Sequence, residues 1–253
     1  MLNFAANLTW LFQEWPFLDR FAAAADAGFT AVEYLFPYEH PPEEIAARLA
    51  RHNLKQVLFN LAPGDFAGGD RGIATFPERR DEFRAAIATG LEYARATGTP
   101  RLHLMAGAAG GPEALACYRD SIKFTCEAAA KEGIDILIEP INNHDIPGYL
   151  MNDFNLAARL IAELNLPNFW LQFDIYHRQR LHGELTKGLE ALLPITRHMQ
   201  IASAPFRREP TTGELDDRHI LRLVERLGYT GYIGCEYGPA NGTLAGLSWM
   251  KTL

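Results

Sequence analysis

Ile134-Asp-Ile-Leu-Ile-Glu139 is a short apolar run that ends on an acid, and it follows directly on Gly133 and a helical stretch over 112–132. Outward from it the same unit recurs along the whole chain. Apolar segments closing on a polar side chain lie at LNFAAN (to Asn7), TAVEYL (with Glu33), KQVLFN (to Asn60), RLHLM (with His103), FWLQFD (to Asp174), HMQIA (with Gln200) and YIGCE (to Glu236), which with the first makes eight. Helical periodicity fills most of the gaps, over 16–27, 42–52, 78–97, 112–132, 153–165 and 217–227. Gly28, Asn53, Gly98, Gly133, Asn165 and Gly228 stand where C-terminal caps belong, because left-handed geometry costs glycine nothing and asparagine little. Strands alternating strictly with helices pair in parallel, since each return to the sheet needs a crossover. Eight such units in 253 residues predict a closed (β/α)8 TIM barrel, an α/β fold occupying 1–253 as one domain. An open doubly wound sheet would place a glycine-rich phosphate loop after its first strand, where this chain has Asn7-Leu-Thr-Trp-Leu-Phe12.

Composition narrows the function classes. With 48% hydrophobic and 22% charged residues the chain reads as an ordinary globular protein. No stretch reaches the roughly 18 apolar residues of a membrane span, and the start lacks a basic signal-peptide region, so the expectation is a cytoplasmic protein without a membrane partner. A net charge of -7 without any basic run argues against a nucleic-acid partner. Cys117, Cys126 and Cys235 form neither a CxxC pair nor an even disulfide framework.

In a barrel, all strand carboxyl ends open on one face, and chemistry gathers there. Glu139, Asp174, Gln200 and Glu236 end strands five to eight, so they are expected to meet. Glu139 or Glu236 alone reads equally well as a helix cap or a solvated turn residue, whereas Asp174 carries more weight because His177, three residues on, can swing back over the same mouth. Three carboxylates and an amide oxygen together repel one another unless a hard cation neutralises them, and all-oxygen ligation favours Mg²⁺ or Mn²⁺ over zinc. A divalent ion flanked by two glutamates suits enediol chemistry, in which one carboxylate removes a proton and the other returns it to the neighbouring carbon. His177, three residues beyond Asp174, is a candidate donor to the developing oxyanion. Hydrolysis at the same ion remains open on these residues.

The chain resembles the hydroxypyruvate isomerase family of xylose isomerase-like barrels, whose near branch holds the 2-oxo-tetronate isomerases. The resemblance rests on Phe4-Ala-Ala-Asn-Leu8, Ala31-Val-Glu-Tyr-Leu-Phe-Pro-Tyr38, Asn60-Leu-Ala-Pro-Gly-Asp65, Ile138-Glu-Pro-Ile-Asn142, Asp174-Ile-Tyr-His177, Gly183-Glu-Leu-Thr186 and Gly234-Cys-Glu-Tyr237, spread nearly end to end. It implies that Glu139, Asp174, Gln200 and Glu236 ligate the divalent ion, and that Glu139 and Glu236 exchange the substrate's protons. It also implies that His177 and Arg207 face the substrate while Glu33, Asn7 and His103 line the cavity. Hydroxypyruvate would then become 2-hydroxy-3-oxopropanoate (tartronate semialdehyde), with Arg207 or Arg208 gripping the carboxylate. Ser203-Ala-Pro-Phe-Arg-Arg-Glu-Pro210 departs from the family pattern. Phe59-Asn60 and His103-Leu-Met-Ala-Gly107 lean toward the four-carbon branch, whereas Glu139-Pro-Ile-Asn142 and Asp174-Ile-Tyr-His177 lean toward hydroxypyruvate. A ketose 3-epimerase, a metal-dependent hydrolase akin to endonuclease IV and a non-catalytic binding module are the alternatives on the same barrel.

Lesser signals complete the reading. Trp10, Phe12 and Trp15 suit capping of the substrate, packing against a second copy in a homo-oligomer, or simple burial. The glycine-rich loop 63–72 is expected to act as a lid. His198 should share a side with Gln200 and support it, and Cys235 should point away from the mouth.

Overall fold

The computed structural model describes residues 2–252. Its strands are β1 (Asn3–Asn7), β2 (Ala31–Tyr34), β3 (Lys55–Asn60), β4 (Arg101–His103), β5 (Asp135–Ile138), β6 (Phe169–Asp174), β7 (Thr196–Ile201) and β8 (Tyr232–Cys235). They pair in sequence order, each parallel to the next, and β8 closes back on β1. The predicted (β/α)8 barrel is therefore the fold. The helices α1 (Arg20–Asp26), α2 (Pro42–Arg51), α3 (Arg80–Thr97), α4 (Gly111–Ala130), α5 (Phe154–Leu164), α6 (Ile175–Leu181), α7 (Leu185–Leu192), α8 (Asp217–Arg226) and α9 (Thr243–Gly246) follow or separate the strands. Their apolar stripes press on the outside of the barrel, as with Phe154, Ala157, Leu160 and Ile161 of α5.

All six predicted cap positions are left-handed, with φ of 94° at Gly28, 51° at Asn53, 66° at Gly98, 70° at Gly133, 43° at Asn165 and 81° at Gly228. Between β6 and β7 the structure places two short helices that the periodicity does not single out. The first of them, α6, starts on the strand's own last residue: Asp174 Oδ1 accepts the backbone N–H groups of Tyr176 at 2.7 Å and His177 at 3.3 Å. One carboxylate oxygen thus caps a helix, and the tight turn brings His177 back over the barrel mouth.

Strand alternation sends Ala5 and Asn7, Ala31 and Glu33, Gln172 and Asp174, and His198 and Gln200 to the inside of the barrel. Small residues sit low in the lumen, where Ala5, Ala31 and Val57 form their own apolar cluster. Above them the lumen is polar, and buried Asn7, Glu33, Gln172, His198 and Gln200 build the floor of a site.

Candidate active site

A cavity of about 560 Å³ opens at the carboxyl ends of the strands. Its wall includes Trp10, His103, Glu139, Gln172, His177, Arg207 and Glu236. Glu139 Oε1 lies 3.8 Å from His177 Nε2, which lies 3.8 Å from Asp174 Oδ2. One donor atom from each of Glu139, Asp174 and His177 falls within 4.8 Å of the other two. Glu139 Oε1 and Asp174 Oδ2 are both buried without a hydrogen-bond partner. Orphaned anionic oxygens side by side are costly unless a cation or protons intervene. Glu236 joins this group through Arg207, whose Nη2 donates to Glu236 Oε1 at 2.5 Å and lies 3.8 Å from Asp174 Oδ2.

The titration behaviour follows from that crowding. Burial, then the neighbouring Glu236 and Asp174 charges, holds Glu139 well above the usual carboxylate range. Burial pushes Glu236 up to about 8 despite the opposing Arg207 charge. Asp174 is raised by burial to about 6, with Arg207 and the N–H groups of its helix cap pulling the other way. His103 and His177 move in the opposite sense, because burial disfavours their cationic forms: His103 falls to about 3 and His177 well below the ordinary histidine value. Both imidazoles are neutral at pH 7, and both nitrogens of His103 lack a hydrogen-bond partner.

Asn142 decides the tautomer of His177. Its Oδ1 accepts the backbone N–H groups of His144 at 3.0 Å and Asp145 at 3.1 Å, which turns its Nδ2 toward His177 Nδ1 at 2.7 Å. The backbone N–H of Asn142 donates to the same nitrogen at 3.3 Å. Nδ1 is therefore an acceptor, and the ring proton resides on Nε2. A protonated Nε2 is a donor to an oxygen in the cavity rather than a metal ligand.

Glu33, expected at the cavity wall with Asn7, lies one layer below it. Its Oε1 accepts Asn7 Nδ2 at 2.9 Å and Gln200 Nε2 at 2.8 Å, and its Oε2 meets His198 Nε2 at 2.6 Å. Three hydrogen bonds tie Glu33 to Asn7, Gln200 and His198, and it fixes those side chains from beneath the residues that line the cavity. This crossing depends on Gly234 of β8: a Cβ there would stand 2.1 Å from Glu33 Oε1, so any larger residue evicts the carboxylate. Asn7 Nδ2 reaches on to Glu236 Oε2 at 3.3 Å and helps to hold it. His198 lies beside Gln200 and supports it through Glu33, as the alternation of β7 predicts.

Gln200 departs from the expected orientation. Its Nε2, not its oxygen, faces Glu33 and Glu236, while Oε1 accepts Gln172 Nε2 at 2.7 Å. The two ends of a buried amide are assigned by their hydrogen-bond partners, and here two acids take the N–H side.

Arg207 sits among the acids. Nη1 donates to Asp145 Oδ2 at 3.1 Å, and the guanidinium stacks 4.7 Å from the Trp10 ring and 5.1 Å from that of Tyr176. Burial alone would pull Arg207 down, but Glu236, Asp174 and Asp145 more than offset it and raise it overall. Arg208 also reaches the wall, where it donates to the carbonyls of Gly238 at 3.0 Å and Pro239 at 3.5 Å. Its charge is thus less committed than that of Arg207.

Sequence reasoning missed Gln172, Asn142 and Asp145. Gln172 had a readable signal, since it lies two residues before Asp174 and strand alternation puts both on one side. Asn142 and Asp145 carry none, because their roles depend on how the loop after β5 folds back over α6.

Comparison with known proteins agrees with the geometry. The family model described as "Xylose isomerase-like TIM barrel" matches residues 21–253. A 2-oxo-tetronate isomerase from Cupriavidus necator is 46% identical over 99% of this chain and 98% of its own length. A hydroxypyruvate isomerase from Escherichia coli is 41% identical over 99% of this chain and 98% of its own. A crystal structure from Brucella melitensis described as an AP endonuclease, family 2, superposes with a TM-score of 0.97 at 41% identity, covering 100% of this chain and 99% of that one. The chain belongs to the xylose isomerase-like TIM-barrel family, in the branch of the hydroxypyruvate and 2-oxo-tetronate isomerases, and is an isomerase.

Proposed function

We propose that the protein isomerises a small 2-oxo acid by proton transfer between adjacent carbons, taking hydroxypyruvate to 2-hydroxy-3-oxopropanoate. The observation that carries this reading is the pair Glu139 and Glu236, two buried carboxyls with raised proton affinity on the wall of one cavity. Glu139, Asp174, Gln200 and Glu236 would hold a divalent cation, and the unpartnered oxygens of Glu139 and Asp174 fit it. Mg²⁺ or Mn²⁺ there supplies Lewis-acid polarisation of the carbonyl and hydroxyl oxygens, which acidifies the C–H between them.

The chain's own groups then divide the remaining work. Glu139 takes the proton from C3 and Glu236 delivers one to C2, while the hydroxyl proton on O3 passes to the neighbouring O2 of the same substrate, leaving an aldehyde at C3 and a hydroxyl at C2. The two carboxyls then reset by proton exchange with solvent. His177 donates its Nε2–H to the oxygen that gains charge in the enediolate, and its neutral state keeps that hydrogen bond from becoming a competing proton transfer. Arg208 and, on release from Glu236, Arg207 supply positive charge for the substrate carboxylate. Trp10, Tyr176 and Phe206 give the cavity wall its aromatic surface.

A four-carbon 2-oxo acid is the second reading, favoured by the 46% identity to a 2-oxo-tetronate isomerase. A hydrolase acting on a polyanion fits the cavity less well, because Glu139 and Glu236 line it and Asp145 stands at its wall.

A panel of three- and four-carbon 2-oxo acids and uncharged ketoses, assayed before and after exhaustive chelation, tests the proposal. We expect turnover of at least one 2-oxo acid, loss of that turnover on chelation, and recovery with Mn²⁺. Turnover restricted to uncharged ketoses, or full activity after chelation, contradicts it.

A further inference from the structure

Gln172 is 1% exposed and Gln200 2%; in the β6–β7 register Gln172 lies opposite His198 and Gln200 opposite Asp174, so the two amides meet on the diagonal. A buried carboxamide has two N–H donors and a carbonyl acceptor to satisfy. Here Gln172 Nε2 donates to Gln200 Oε1 at 2.7 Å, Gln200 Nε2 donates to Glu33 and Glu236, and Gln172 Oε1 is left without a partner. The arrangement leaves one buried acceptor unfilled, and it turns the only metal-ligating atom of Gln200 away from the acids.

Exchanging oxygen and nitrogen in both amides gives a second arrangement. Gln200 Nε2 then donates to Gln172 Oε1, filling that acceptor, and Gln200 Oε1 faces Glu33 and Glu236. Glu33 keeps Asn7 and His198 as donors. The Gln172 N–H donors then take the buried position that its Oε1 now holds, beneath the cavity that Gln172 helps to line. Oxygen facing oxygen is repulsive, so this state needs a cation between Gln200 and the acids.

We infer that Gln172 is a positioning residue: paired with Gln200, it forms a two-state amide relay that lets Gln200 turn its carbonyl oxygen to a divalent cation. The inference rests on the cation reading of the site given above. Without Gln172 the present Gln200 loses the donor to its oxygen and the turned one loses the acceptor for its N–H; the turned, cation-binding state suffers more, because a buried N–H is left unpaired more rarely than a carbonyl.

Titration calorimetry with Mn²⁺ and no substrate separates the possibilities. Gln172→Met keeps the volume and removes the acceptor, and we expect Mn²⁺ affinity to fall about tenfold. In a Gln200→Glu background either carboxylate oxygen ligates without turning, so Gln172→Met should change affinity less than twofold there. Gln172→Glu, which can only accept from Gln200, should bind at least as tightly as the unmodified protein, and it serves also if Gln172→Met does not melt cooperatively. Equal affinity of Gln172→Met and the unmodified protein overturns the relay and leaves the cation site standing. An equal loss in both backgrounds, or a loss in Gln172→Glu like that in Gln172→Met, assigns Gln172 a purely structural part and also overturns it. Absence of Mn²⁺ binding by the unmodified protein overturns the cation reading and the relay together.

Discussion

Glu139→Gln should lower kcat by about 10³-fold at saturating Mn²⁺, within the range that a positioned acid–base group supplies. Substrate binding should survive within a few-fold, because the amide keeps the shape of the side chain and an oxygen that still faces the site. The informative readout is isotopic. Hydroxypyruvate held with the unmodified protein in deuterated water should gain deuterium at C3, since the group that removes the proton exchanges it with solvent. In Glu139→Gln this exchange should vanish. Glu236→Gln should show the converse, with washout at C3 retained and delivery to C2 lost. Unchanged exchange in Glu139→Gln removes that residue from the mechanism, and identical behaviour of both variants removes the division of labour.

Affinity for Mn²⁺ should rise by about 100-fold from pH 6 to pH 8, the tenfold per pH unit expected if binding releases about one proton. The sign follows from the site. Burial holds Asp174 at about 6 and Glu236 at about 8, so below these values the ion competes with protons for the same oxygens. Each is raised above its unfolded carboxylate value. The stability they contribute is thus complete below about pH 4 and is lost as pH climbs through the folded values. The metal-free protein should accordingly melt at progressively lower temperature from pH 5 to pH 8, and saturating Mn²⁺ should cancel the decline. Calorimetry in two buffers of different ionisation heat counts the released protons directly. An affinity independent of pH across this window would mean that Asp174 and Glu236 are ionised without the cation, with Arg207 sufficient to neutralise them.

The barrel was legible because its signals are local. An apolar run closing on a polar side chain marks a strand with its end at the mouth, and a glycine or asparagine after a periodic stretch marks a left-handed cap. Each is a property of a few neighbouring residues. Part of the floor was legible for the same reason, since strand parity places His198 and Gln200 in the lumen; the same parity holds for Gln172, which went unread. Parity gives the side but not the depth. Glu33 looked like a wall residue and lies below the wall, because Gly234 opposite leaves room for its carboxylate to reach Gln200 and His198. Orientation was hidden as well: parity puts Gln200 at the site, but which end of its amide meets Glu33 and Glu236 depends on Gln172 beside it. Asn142, which fixes the proton of His177, becomes visible only once the loop after β5 is folded against α6.

Crystals grown with Mn²⁺ and measured at wavelengths on either side of the manganese absorption edge test the central claim most directly. The expected result is one anomalous peak within coordination distance of oxygens from Glu139, Asp174, Gln200 and Glu236, with Arg207 drawn off Glu236. A map without a peak there, or with manganese bound elsewhere while the four side chains keep the contacts described, would contradict it.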